Sequence, residues 1–159
     1  MKNLNNRNVI VNNFASAKIR GSDKYPNLYG KVSFKQLKDG VLVTAEINGL
    51  PYEEESCKSG IFGFHIHEGN SCTGTEENPF ADAKSHYNKT KCNHPYHSGD
   101  MPPLFGNKGY AYMSFFTDRF TVNDIIDRVV IIHSMLDDLK TLPSGNSGEM
   151  IACGKIFAM

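Results

Sequence analysis

Short β-prone runs dominate the chain. Residues 29–37 and 41–47 flank Asp39-Gly40, a dipeptide suited to the left-handed backbone of a tight hairpin turn. Further runs cover 61–67, 110–116, 129–133 and 151–158, and residues 5–19 supply one more strand early on. Helical periodicity is weak: only 122–128 predicts a helical turn, with Thr121 or Asn123 as its cap. Many short strands joined by turns bearing Gly, Pro and Asn predict an antiparallel sandwich or barrel. Two long segments break the rhythm. Residues 68–108 are rich in Gly, Pro, Asn and His, and 134–149 are polar, with Pro143, Gly145 and Gly148. Loops that long in a compact domain are functional or disordered, and these hold most of the chemistry-bearing side chains, so they read as functional.

Composition narrows the classes. A length of 159 residues suits one domain with a packed core. The expected division is an Asn-rich segment over 1–14, partly strand, followed by one β-rich domain over 15–159. Hydrophobic residues at 40% and charged residues at 21% are ordinary for a globular chain and exclude global disorder. Seventeen basic residues balance seventeen acidic ones. With no basic excess or patch, neither nucleic acid nor a membrane surface is an expected partner. No apolar run approaches the roughly 20 residues that span a bilayer. Residues 1–13 lack the continuous apolar stretch of a signal peptide, which favours a cytoplasmic location and leaves export open. The cysteines, Cys57, Cys72, Cys92 and Cys153, form no CxxC pair, which argues against a zinc ribbon or a thioredoxin-type motif. Their even number suits disulfides and the missing signal peptide suits free thiols, so composition leaves that choice open.

The histidines carry the most information. In a strand, His65 and His67 point to one face and can converge on one ion, while Phe64 and Ile66 point to the other. Taken alone, such a pair is weak evidence and is more readily a surface feature. His94, His97 and Asp100 follow at steps of three, bent by Pro95 and Gly99, and could wrap a zinc ion or form a solvated polar loop. His86 and His133 change the balance. Two four-ligand sites need eight donors, and six histidines with Asp100 supply seven. The count closes if one imidazole serves both ions, with one ring nitrogen on each. A site of four nitrogens suits copper.

In order, Gly63-Phe64-His65-Ile66-His67-Glu68, His86-Tyr87-Asn88, His97-Ser98-Gly99-Asp100, Val129-Val130-Ile131-Ile132-His133, and Gly145-Asn146-Ser147-Gly148 followed by Ala152-Cys153-Gly154 resemble the copper–zinc superoxide dismutase family. The similarity runs from about residue 15 to 156, and the stretch from His94 through Met101-Pro102-Pro103-Leu104 is more like bacterial members. The resemblance implies an eight-stranded antiparallel Greek-key β-barrel with two long functional loops. It implies dismutation of superoxide to oxygen and hydrogen peroxide through copper redox cycling, with a structural zinc. By position it implies His65, His67, His86 and His133 for copper, and His86, His94, His97 and Asp100 for zinc. His86, as the bridge, and His133 are then the catalytic residues. Asp137 matches the carboxylate that hydrogen-bonds histidines of both sites, and Cys72 with Cys153 matches the intrachain disulfide. A homodimer is compatible with this reading.

One position departs from the pattern. Where the family usually carries an arginine over the copper, this chain has Met150, beside Glu149, and its last arginine is Arg128. Lys140, in the second long loop, is the nearest substitute cation or else an ordinary solvated lysine. The missing arginine leaves open a copper- and zinc-binding module of the same fold with weak or no dismutase activity. Cys57 and Cys92 have no place in the pattern and are either two free thiols or a second disulfide. Asn88-Lys89-Thr90 fits a glycosylation acceptor but lies beside His86.

Overall fold

A computed structural model describes residues 12–54 and 60–159. Strands β1 (Phe14–Gly21), β2 (Tyr29–Leu37) and β3 (Gly40–Asn48) come first, then β4 (Ile61–Phe62), β5 (Phe64–His67), β6 (Leu104–Phe105) and β7 (Ala111–Thr117). The short helix α1 (Val122–Ile125) leads into β8 (Val129–His133), and β9 (Met150–Ala158) closes the chain. Seven strands form one antiparallel sheet in the order β5-β8-β9-β1-β2-β3-β7, and β4 pairs with β6 in a two-stranded ribbon. The ribbon's strands run on toward β5 and β7, the two edges of the large sheet, so it links those edges and the sheet curls into a barrel-like body. The all-β Greek-key class read from the sequence is the class found.

The strands divide as seven plus two because residues 61–67 are not one strand and because Leu104–Phe105, inside the first long segment, forms β6 and pairs with β4. Gly63 separates β4 from β5: its N–H donates to the Met135 carbonyl and its carbonyl accepts from the His133 N–H. A Cβ at this position would lie 2.9 Å from the Ser147 Cβ and 3.2 Å from the His133 Cβ, so only glycine lets the second long loop pack this closely. The early strand begins at Phe14; residues 5–11 of the expected run lie outside the described residues. The helical turn is capped by Thr121, whose hydroxyl accepts from the Asp124 N–H while the Asp124 carboxylate accepts from the Thr121 N–H. It ends at Ile125, three residues short of the expected Arg128.

Alternation decides what each face buries. Ala17, Ile19, Val32, Phe34, Val43, Ile47, Phe64, Ile66, Val130 and Ile132 share one core. Full burial of such an aliphatic or aromatic side chain contributes roughly 1.5–3 kcal/mol. Period 2 then turns His65, His67, Val129, Ile131 and His133 to the opposite face of β5 and β8. A second, smaller core of Phe80, Ala83, Val129, Ile131 and Cys153 covers part of that outer face. Phe80 and Ala83 come from the first long loop, and the Cys72–Cys153 disulfide pins that loop to β9 across a sequence separation of 81. Cys92 is exposed and in no disulfide, whereas Cys57 lies outside the described residues.

Candidate metal centre

Strand β5 is a sheet edge, and an edge leaves a row of unpaired backbone groups. The first long loop satisfies them. Tyr87 N–H donates to Ile66 O at 2.8 Å, Ile66 N–H to Gly99 O at 2.9 Å, and Glu68 N–H to Ser85 O at 2.9 Å. Isolated bridges accordingly place His86 opposite His67 and Asp100 opposite His65. Residues far apart in sequence are thereby brought beside one strand. His133 arrives from β8, the hydrogen-bonded neighbour of β5. Asp137 is carried in by the second long loop, which is folded back by Met135 N–H to Ser147 O and by Asp138 N–H to Gly145 O. Gly145 has φ +73°, and a Cβ there would lie 2.7 Å from His94 Nε2.

The hydrogen bonds fix how each ring faces. His67 Nδ1 lies 2.8 Å from the Lys84 carbonyl, and His133 Nδ1 lies 3.3 Å from the Gly148 carbonyl. A carbonyl only accepts, so each Nδ1 carries the proton and each Nε2 is a bare lone pair. Those two Nε2 atoms face one another at 3.3 Å. Two lone pairs at that separation repel unless a cation draws them together. Asp137 holds two rings at once, with Oδ2 2.7 Å from His65 Nε2 and Oδ1 2.9 Å from His94 Nε2. On the far side of those rings, His65 Nδ1 and His94 Nδ1 are buried without a hydrogen-bond partner, as are His86 Nε2 and His97 Nδ1. His94 Nδ1 and His97 Nδ1 do lie 3.2 and 3.4 Å from Asp100 Oδ2, but neither makes a hydrogen bond with it. A buried polar atom left unpaired costs roughly 1–3 kcal/mol. Four in one place is the signature of a site built for something that accepts lone pairs.

The donors fall into two groups whose ligand atoms all lie within 4.8 Å of one another: His65, His67, His86 and His133, and His86, His94, His97 and Asp100. His86 belongs to both. Its Nδ1 lies 2.8 Å from Asp100 Oδ1 on the second group's side, and its Nε2 is the unpartnered atom. Four imidazoles suit copper, and three imidazoles with a carboxylate suit zinc, so the residues fit both ions.

Burial favours the neutral form of His65, His67, His97 and His133, the form in which imidazole binds a metal. Desolvation pulls His65 down from 6.5 to about 4, outweighing its hydrogen bond to Asp137, and pulls His133 down to about 3. It takes His67 well below its ordinary value as well. For Asp137, burial pushes the carboxyl upward, but hydrogen bonds from His65, the Leu139 N–H and His94 win and hold it below the usual range. For Asp100, burial again pushes upward, and the hydrogen bond with His86 leads the contacts that hold it low.

A cavity of about 700 Å³ opens over His67, His86, His97 and His133. Met150 lines it, opposite His133 in the β8–β9 register, where a β-bulge interrupts the pairing. Lys140 is exposed and is not among the lining residues; the cations that are, Lys24 and Lys84, had no motif to mark them in the sequence. Lys24 is paired with Glu149 at 3.4 Å, and the Tyr25 hydroxyl donates to the same carboxylate at 3.0 Å. Lys84 makes no ion pair with the described residues, although its backbone holds His67. The Asn88 side chain exchanges two hydrogen bonds with the backbone of Cys92, so this residue of the acceptor-like tripeptide closes a turn beside His86.

A sequence profile described as copper/zinc superoxide dismutase matches residues 28–156. The chain is 33% identical over 139 residues to a copper–zinc superoxide dismutase of Legionella pneumophila, covering 82% of this chain and 79% of that one. The corresponding enzyme of Deinococcus radiodurans is 31% identical over 155 residues, covering 86% and 81%. A Xenopus laevis relative of the same name is 32% identical over 143 residues, covering 80% and 87%. With the barrel, the disulfide and two histidine groups sharing one ring already in place, this chain belongs to the copper/zinc superoxide dismutase family.

Proposed function

We propose that the chain dismutates superoxide to oxygen and hydrogen peroxide, with copper held by His65, His67, His86 and His133 and zinc held by His86, His94, His97 and Asp100. The observation that carries this reading is His86, one buried imidazole that belongs to both donor groups, with Nδ1 beside Asp100 and Nε2 left without a partner. When bound, copper supplies the reversible one-electron exchange that superoxide dismutation needs, while zinc supplies a fixed charge with no redox chemistry. The chain's own residues do the rest. The Lys84 and Gly148 carbonyls hold His67 and His133 with Nε2 turned inward, and Asp137 holds His65 and His94 with Nδ1 turned inward. His86 Nε2 can take up a proton and release it toward the cavity while Nδ1 stays with the second group. His133 forms the cavity wall where the small anion arrives.

The second reading, a metal-binding module with weak activity, is favoured by Met150 standing at the cavity in place of an arginine. Superoxide decay followed by stopped flow separates the two, using protein loaded with both metals beside protein loaded with zinc alone. Dismutation predicts rapid catalytic decay only with copper present. Decay no faster than with the zinc-only protein would leave the binding module.

A further inference from the structure

Three backbone carbonyls of the loop that supplies the second donor group converge on one nitrogen outside it. The oxygens of Pro95, His97 and Asp100 lie 3.0, 3.3 and 3.4 Å from Arg119 Nη1. Arg119 stands in the turn between β7 and α1, where its own N–H donates to Thr117 Oγ1 at 3.2 Å. The loop is closed from inside by Asp100, whose Oδ2 accepts from the His97 N–H at 2.9 Å, while the His97 carbonyl accepts from the Asp100 N–H at 3.2 Å. From outside, Arg119 closes the same residues. Carbonyl dipoles aimed at one point repel one another, and a guanidinium at that point offsets the repulsion with charge-assisted hydrogen bonds in a fixed geometry.

We propose that Arg119 is a positioning residue for the zinc site. It touches no ligand atom. It sets the spacing of His97 and Asp100 through their backbone, so that both stand ready before a cation arrives. Among the described residues, nothing comparable links Arg119 to His65, His67 or His133, so its influence falls on one half of the centre. The inference rests on the reading of His86, His94, His97 and Asp100 as the zinc site. Outer groups that orient metal ligands typically matter by about 10–100-fold in metal affinity, and that is the size of effect expected here.

The test is zinc release from the copper- and zinc-loaded full chain to a colorimetric chelator, comparing wild type with Arg119→Lys and Arg119→Ala. Arg119→Ala should hold zinc about 10–100-fold more weakly, Arg119→Lys should fall between, and copper content should stay at the wild-type level. Cobalt(II) loaded into the zinc site gives an absorption spectrum that reports ligand geometry, and it should change in Arg119→Ala and recover partly in Arg119→Lys. If Arg119→Ala does not fold, Arg119→Gln takes its place. Wild-type zinc retention and an unchanged cobalt spectrum would overturn the proposal, even if the metal-free variant melted at a lower temperature, since that alone marks a structural residue. His97→Ala and Asp100→Asn, run alongside, isolate the underlying reading: if they too keep zinc like wild type, the zinc assignment itself fails.

Discussion

Each of His65, His67, His94 and His133 commits one ring nitrogen to a fixed acceptor and leaves the other facing a neighbour. Asp137 does this for two rings in different donor groups, so Asp137→Asn should weaken both metals together. A loss on the order of 10–100-fold in affinity is expected by competition titration, and loss of one metal alone would contradict the double role. Neutral burial also fixes the pH behaviour of the metal-free protein. His65 and His133 have folded-state values of about 4 and about 3, below the ordinary 6.5. The unfolded chain therefore takes up protons first as pH falls, and stability declines from about pH 6.5 downward at up to about 1.4 kcal/mol per unit for each ring. Asp137 and Asp100, held low when folded, contribute stability above the ordinary carboxylate range that is lost as pH falls below it. Urea melts of metal-free protein should show a lower midpoint at pH 5 than at pH 7.5; equal midpoints would mean the rings already bind protons in the fold.

At the level of elements, much of the site was legible because strand alternation is a local property. His65 and His67 on one face, with Phe64 and Ile66 in the core, follow from period 2 alone; all four are buried, but Phe64 and Ile66 pack into the main core while His65 and His67 join a donor group. What covers the edge of β5 was not legible. Which loop carbonyl meets which strand N–H depends on contacts between residues far apart in sequence, so neither the Lys84 carbonyl behind His67 nor Arg119 against the carbonyls of Pro95, His97 and Asp100 had a motif to announce it. Gly63 shows the reverse case: a continuous β-prone run is divided by a close approach of the loop from 134 to 149, which local pattern does not reveal. The disulfide joins the two scales. Closing a loop of 81 residues constrains the unfolded chain by on the order of 4–5 kcal/mol, an upper figure. Cys72→Ser with Cys153→Ser should lower the urea midpoint accordingly, and a midpoint unchanged from the oxidised protein would show that the smaller core holds the loop unaided.

For the molecule as a whole, the formal net charge is zero, and the cavity carries two cations, Lys24 and Lys84, against the carboxylates of Glu68, Glu77 and Glu149. A positive funnel can raise the on-rate of an anion by roughly 10–10³-fold and fades with salt. This cavity is not such a funnel, so the wild-type rate should depend only weakly on ionic strength. Met150→Arg should raise it at low salt and less at high salt, whereas Lys84→Gln should lower it at low salt. A wild-type rate that falls steeply with added salt would contradict this account of the field.

The central claim is that one imidazole, His86, divides six histidines and an aspartate into two sites. Elemental analysis of protein loaded with both ions tests it most directly, on wild type beside His133→Ala and Asp100→Asn. One copper and one zinc per chain are expected in wild type, with copper lost and zinc kept in His133→Ala, and zinc lost selectively in Asp100→Asn. Equal loss of both metals in both variants would contradict the two-site division.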